Sequence, residues 1–300
     1  MRKAFMQCLI SMAEQDPNIY LIAGDVGFSV IEEFCQRFGH RFINAGIAEQ
    51  NMIGAAAGLA MSGKNVFVYS IIPFLTMRCF EQIRVDLCYQ RLPVKLIGVG
   101  GGFSYGQMGL THHALEDIAL MRSLAGMTVI APANRNETRT LIPQLVNLPG
   151  PVYVRLATYD EVPECAQTKN LTIGSACQYI DSDEYLVVTT GNVLDLGYGV
   201  CQALHGQGIV CGLASVPTIK PLDIHFFRAQ KKLKAVFTIE EHSVIGGLGE
   251  AVARVVAEEF SHKIIFKAFG VPDCYPHCVG SRHYLRDAFG LNVTTITNKI

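Results

Sequence analysis

The sequence predicts an α/β protein of two domains, each a mainly parallel sheet flanked by helices. Three observations predict it. Short runs rich in Val, Ile and Leu alternate along the chain with stretches of helical period, the pattern of strand–helix–strand units. Half of the 300 residues are hydrophobic and 17% are charged, which is apolar material enough for two buried cores. The periodicity is lost over a polar stretch, residues 157–174, and then resumes, so the expected domains are 1–165 and 175–300, joined by a linker.

The elements follow in order. Phe5, Leu9, Met12 and Ala13 recur at helical spacing over 3–15, and Asp16-Pro17-Asn18 stops that helix. Residues 19–23 read as a buried strand. The Ala-rich stretch 49–61 reads as a helix ended by Gly63-Lys64-Asn65. There follow a strand over 66–72, a helix over 76–90, a strand over 94–99, a short helix over 117–124, a strand over 127–131, a helix over 136–148 and a strand over 152–156. The second series has strands at 185–189, 209–214, 235–239 and 264–269, with helices at 193–205, 224–232, 249–259 and 281–290.

Composition excludes several function classes. The net charge is −1, from 25 Lys+Arg against 26 Asp+Glu, and no basic run offers a nucleic-acid or membrane surface. No apolar run approaches the ~18 residues of a membrane span. Glu14, Gln15 and Asp16 interrupt any signal-peptide core, and ten scattered cysteines in apolar runs read as reduced thiols, so a cytoplasmic protein is expected. The chain lacks a G-x-S-x-G elbow, a phosphate-binding G-x-x-x-x-G-K-[ST] and an H-E-x-x-H.

Four segments remain as candidates for chemistry. Asn44-Ala45-Gly46-Ile47-Ala48-Glu49-Gln50 puts Glu49 in the first turn of a helix. A glutamate there ordinarily complements the helix dipole and does nothing more. Here Ala55, Ala56, Ala57 and Gly58 follow and let another backbone approach closely, so the helix start is expected at a dry interface, where a carboxyl can hold or give a proton near neutral pH. The glycine-rich loop from Gly98 runs to His112 and His113, either a structural pair or substrate-facing groups. Its glycines do not match the dinucleotide fingerprint. Glu240-Glu241-His242-Ser243 precedes Gly246-Gly247-Leu248-Gly249, which is either a tight turn or an anion-binding helix N-terminus. Cys274, His277 and Cys278 lack the second cysteine pair of a structural zinc site, so no metal is expected on this chain.

Together these segments resemble the C-terminal half of transketolase, and more closely the separate beta-type chain of split bacterial and archaeal transketolases. The resemblance is carried by Gly46-Ile47-Ala48-Glu49-Gln50-Asn51-Met52, Gln82-Ile83-Arg84, Thr111-His112-His113-Ala114-Leu115-Glu116-Asp117, Met127-Thr128-Val129-Ile130-Ala131-Pro132, Pro217-Thr218-Ile219-Lys220-Pro221-Leu222-Asp223 and Glu241-His242-Ser243-Val244-Ile245-Gly246-Gly247. It spans nearly the whole chain, with the motifs in the family's order. It implies a pyrimidine-binding domain followed by a transketolase C-terminal domain, and it implies thiamine diphosphate as cofactor. By that resemblance Glu49 bonds the aminopyrimidine and favours the imino tautomer that activates the thiazolium carbon. Phe74 stacks on the ring, with Ile72 and Leu75 possible by register. Asp25 lies near the cofactor, His112 and Ser29 near the sugar with His113 beside them, and Arg2 and Arg155 bind a sugar phosphate.

Two departures from the family's pattern bear on substrate. Met108 stands where the family has an aspartate, and Gly100 where it has a histidine, which leaves the donor end less polar and suggests a deoxy or otherwise modified sugar. The G-D-G motif that holds diphosphate and magnesium (Mg2+) in this superfamily is absent, and Gly24-Asp25-Val26-Gly27 is not a version of it. The resemblance therefore implies an N-terminal (alpha) transketolase subunit that brings the diphosphate half, in an alpha2beta2 assembly. Two alternatives stand beside this reading: the beta-type chain of a 2-oxo acid dehydrogenase or a deoxyxylulose-phosphate-synthase-like enzyme, and a non-catalytic stabilising partner.

Overall fold

In the computed structural model, residues 1–159, 161–163 and 171–300 are described, and part of the expected linker lies outside them. The strands are β1 Ile19–Ala23, β2 Phe42–Asn44, β3 Asn65–Ile71, β4 Lys95–Val99, β5 Thr128–Ile130, β6 Val152–Leu156, β7 Cys177–Ile180, β8 Tyr185–Thr189, β9 Gly212–Ser215, β10 Thr218–Lys220, β11 Ala235–Ser243 and β12 Ile265–Val271. They form a seven-stranded sheet of order β10-β5-β6-β4-β3-β1-β2 and a five-stranded sheet of order β12-β11-β8-β9-β7. All pairings are parallel except β10 with β5 and β7 with β9. The central strands are apolar on both faces, because helices cover both. Leu21 and Ile22, adjacent in β1, are each fully buried, in different core clusters. The second sheet is likewise sandwiched between two clusters, one around Val187, Phe237 and Ile239, the other around Leu186, Val188 and Val236. Truncating one such leucine to alanine costs about 2–5 kcal/mol.

Parallel sheets put their loops of one kind at one end. The four strands β4, β3, β1 and β2 are consecutive neighbours, so the loops after their C-terminal ends lie side by side. After β1 come Gly24–Ser29, after β2 the start of the helix Glu49–Met61, after β3 the short helix Ile72–Thr76, and after β4 the glycine-rich loop with His112. The topology thereby gathers Asp25, Ser29, Glu49, Phe74 and His112 at one edge.

Several elements differ from expectation. The expected helix 76–90 is broken: Pro73 starts a turn early at Ile72–Thr76, a second turn follows at Phe80–Gln82, and Ile83–Tyr89 is wound more widely with i→i+5 bonding. The expected helix 136–148 is α-helical only over Arg135–Leu141, capped by the Asn134 side chain, and tightens to a 3₁₀ turn at Ile142–Asn147, where Pro143 lacks an N–H. The helices Glu32–Phe38 and Val293–Lys299 and the strands β2, β7 and β10 were not expected. The strand β10 is part of the second half of the chain but pairs with β5 of the first sheet, Thr218 opposite Ile130. Among the described residues no helix is long and apolar enough to cross a membrane.

The two sheets are tied together beneath the glycine-rich loop. The Glu241 carboxylate, at the end of β11, accepts the Phe103 N–H at 2.7 Å and a bond from Arg286 Nε. Arg155 Nη2 donates to the carbonyls of Ala114 and Glu241 at 2.8 and 3.0 Å. These buried, charge-assisted bonds fix the loop that carries His112.

Candidate active site

Glu49 is the first residue of its helix, is 3% exposed, and accepts a hydrogen bond from Arg78 Nη1 at 2.8 Å through Oε2. The positive helix end adds to that stabilisation. Phe74 is half-buried at the rim, whereas Ile72 and Leu75 are fully buried in the core, so of the three Phe74 is the side chain that faces the site. The Arg78 guanidinium carbon lies 4.7 Å from the Phe74 ring centroid. Arg78 therefore touches both Glu49 and Phe74.

His112 meets the Phe74 ring edge-on, with centroids 5.2 Å apart, and the Tyr105 ring at 6.1 Å. Its Nδ1 is 2.9 Å from the Thr111 hydroxyl. Burial lowers its pKa from the ordinary value, so the imidazole is neutral at pH 7 and able to accept or donate at its other nitrogen. Its ring borders a cavity of about 240 Å³ with Arg2, Asp25, Tyr105 and Met108 in its walls. Arg2 also lines an adjoining cavity of about 400 Å³ with Ser29, Lys3, Arg135 and Arg139. Asp25 and Asn44 brace each other by two hydrogen bonds of 3.2 Å, and both Asp25 and Ser29 have positive φ, so the loop after β1 is held in a strained turn.

Two expectations are corrected, and one of two open readings is excluded. Arg155 is 3% exposed and pairs with Asp117 at 2.9 Å beneath the loop, so its guanidinium is committed to the junction and not open to a sugar phosphate. His113 is buried, stands edge-on to Phe103 at 5.4 Å and places Nε2 3.2 Å from the Gly106 carbonyl oxygen, which makes it a packing residue. The helix N-terminus at Gly247 is not an open anion site, because the Leu248 and Gly249 N–H groups donate to Glu240 at 2.7 and 2.8 Å. Among the described residues no three His, Cys, Asp or Glu side chains are grouped to hold a metal, Cys274, His277 and Cys278 included.

Two side chains of this edge were missed by sequence reasoning. Arg78 lies in the turn between the short helices Ile72–Thr76 and Phe80–Gln82, so no helical period marks it. Tyr105 has no periodic signal, yet it fills the space above Gly100: a Cβ at Gly100 would lie 2.4 Å from its ring, and Gly100 has φ +99°. No histidine fits at 100 while Tyr105 stands there.

Comparison with known proteins identifies the family. Residues 1–159 match the model of the transketolase pyrimidine-binding domain and residues 177–296 that of the transketolase C-terminal domain. The chain is 36% identical over 276 residues to one of the subunits of the apulose-4-phosphate transketolase of Phocaeicola vulgatus, covering 91% of this chain and 87% of that one. It is 34% identical to SqwH, a 6-deoxy-6-sulfo-D-fructose transketolase subunit of Clostridium sp. (strain MSTE9), over 99% of this chain and 92% of that one. A solved split-gene transketolase, described as an inactive beta4 tetramer, superposes with TM-score 0.89 at 32% identity, over 99% of this chain and 95% of that one. The chain belongs to the transketolase family, as a counterpart of the C-terminal subunit of split transketolases.

Proposed function

We propose that this chain is the pyrimidine-binding subunit of a cytoplasmic two-chain transketolase that moves a two-carbon ketol unit between sugars carrying a terminal anionic group. The observation that carries the reading is the bracket of Glu49 and Phe74. A flat, hydrogen-bond-donating group, the Arg78 guanidinium, already bonds the Glu49 carboxylate and lies against the Phe74 ring, the two kinds of contact that an aminopyrimidine would make. The residues fit the pyrimidine half of thiamine diphosphate, the cofactor of the transketolase family. When bound, that cofactor supplies the carbon that carries the ketol unit.

The remaining work falls to this chain. Glu49 holds a proton at a ring nitrogen through its carboxyl, shielded from water. Phe74 fixes the plane of the ring. Neutral His112 exchanges a proton with a sugar hydroxyl. Arg2, with Lys3 and Arg139 in the adjoining cavity, attracts a terminal phosphate or sulfonate. Relatives named for apulose-4-phosphate and 6-deoxy-6-sulfo-D-fructose support a modified sugar of that kind, as does apolar Met108 in the cavity wall. Asp25 faces the same cavity and is assigned to the cofactor side.

The diphosphate and its Mg2+ are assigned to a partner subunit, in an alpha2beta2 complex. Exposed Phe28 and Ile47, which flank the site, are apolar surface suited to its cover. The free state of all described cysteines supports the cytoplasmic assignment. Co-expression with a transketolase chain carrying the diphosphate domain tests the reading: the mixture should transfer ketol units from phosphorylated or sulfonated ketoses, and each chain alone should not. Turnover by the isolated chain, or none by the assembled and cofactor-loaded pair on any such sugar, would contradict it.

A further inference from the structure

We propose that Arg78 is a placeholder: in the cofactor-free chain its guanidinium occupies the seat of the aminopyrimidine ring, and it must swing out when the cofactor docks. The inference rests on the thiamine diphosphate reading above and adds a residue to it.

Three observations carry it. First, Arg78 alone makes both contacts that the bracket offers. It donates to Glu49 Oε2 at 2.8 Å and lies 4.7 Å from the Phe74 centroid. A ring bonded to Glu49 and stacked on Phe74 competes for the two contacts that the guanidinium now makes. Second, the pair is asymmetric. Glu49 is 3% exposed and Arg78 is 46% exposed, whereas the structural pair Arg155–Asp117 is buried on both sides, at 3% and 0%. A pair built only for rigidity resembles the second. In the first, the buried carboxylate stays and the arginine has open solvent to move into. Third, the backbone at Arg78 is held independently of its side chain: the Gln50 side-chain amide donates to the Arg78 carbonyl at 3.1 Å. The motion is then a rotamer change at one residue, with no loop to rearrange.

The placeholder answers a problem that a split site creates. Without its cofactor, Glu49 would be a buried carboxylate with no partner, which is costly. Arg78 satisfies it until the ring arrives. The consequence is that cofactor binding competes with an internal ligand, and the apparent dissociation constant is raised by the fraction of time the seat is filled.

The test uses the assembled complex, with thiamine diphosphate titrated by calorimetry and by near-ultraviolet circular dichroism of the bound cofactor. Arg78→Ala should tighten the dissociation constant by about 3- to 10-fold, with the dichroic band retained, and Arg78→Lys, which keeps the charge but not the flat fork, should fall between. In the isolated chain Arg78→Ala should lower the melting temperature, and Arg78→Ala with Glu49→Gln should recover most of the loss. Weaker or unchanged cofactor binding by a folded Arg78→Ala complex would overturn the placeholder while leaving the cofactor reading intact. Failure of the wild-type complex to bind thiamine diphosphate at all would overturn both.

Discussion

Arg155 and Asp117 form an ion pair at 2.9 Å with both side chains buried, and Tyr153 donates a second bond to the same carboxylate oxygen at 2.6 Å. The pair lies under the glycine-rich loop at the seam of the two sheets. Arg155→Leu removes the cation beside Asp117 and leaves it only the Tyr153 hydroxyl, so the chain should lose about 3–5 kcal/mol of stability, read from denaturant unfolding. If Arg155 bound substrate instead, Arg155→Lys would raise KM for the phosphorylated sugar and leave stability unchanged.

Glu240 gives the protein a pH dependence that one variant isolates. Burial raises its pKa to about 7 in spite of the two backbone N–H groups it caps. Its folded value lies above its unfolded value, so it contributes stability that is full below about pH 4.5 and lost as pH rises through 7. Glu240→Gln keeps an acceptor for the helix end and removes the titration. The stability of wild type minus that of Glu240→Gln should fall by about 3 kcal/mol between pH 4.5 and 7. His242, pushed down to about 4 by burial, works in the opposite sense: it loses stability as pH falls below 6.5 and so masks the effect in wild type alone.

Gly100 and Tyr105 form one steric unit. The Cβ of an alanine at 100 would lie 2.4 Å from the Tyr105 ring, at a φ of +99° that only glycine adopts freely. Gly100→Ala should cost roughly 1–3 kcal/mol and displace Tyr105 from His112. Adding Tyr105→Gly should return part of that loss, a coupling of about 0.5 kcal/mol or more in a double-mutant cycle. Strict additivity would refute the packing argument.

Met108 is exposed and borders the cavity beside His112, so it can change substrate preference without loss of fold. Met108→Asp should shift kcat/KM about tenfold toward sugars with a hydroxyl at the contacted position, while stability stays within about 0.5 kcal/mol. An unchanged substrate ratio would remove Met108 from specificity.

Much of this site could be read from the chain because its parts are local. Glu49 follows a glycine turn and opens a small-residue helix, and His112 ends a glycine-rich loop after a strand. Each signal is contained in about ten consecutive residues. Phe74 was open to a register error, since Ile72 and Leu75 are also apolar and only packing tells which side chain faces out. Arg155 was misjudged because a strand buried on both faces has no alternation to say which way its one charged residue points. Arg78 was missed because its meaning depends on two loops from different strands meeting. The antiparallel β10 was missed because three residues carry no period, and because its partner strand belongs to the other half of the chain.

The central claim is that the Glu49 carboxyl, dry at the head of its helix, works on the cofactor ring. The decisive measurement is single-turnover ketol transfer by the assembled complex carrying Glu49→Gln, with cofactor occupancy measured in the same sample. The account predicts a rate lower by about 10²–10⁴-fold at full occupancy and normal assembly. A cofactor-loaded Glu49→Gln complex that turns over at the wild-type rate would contradict it.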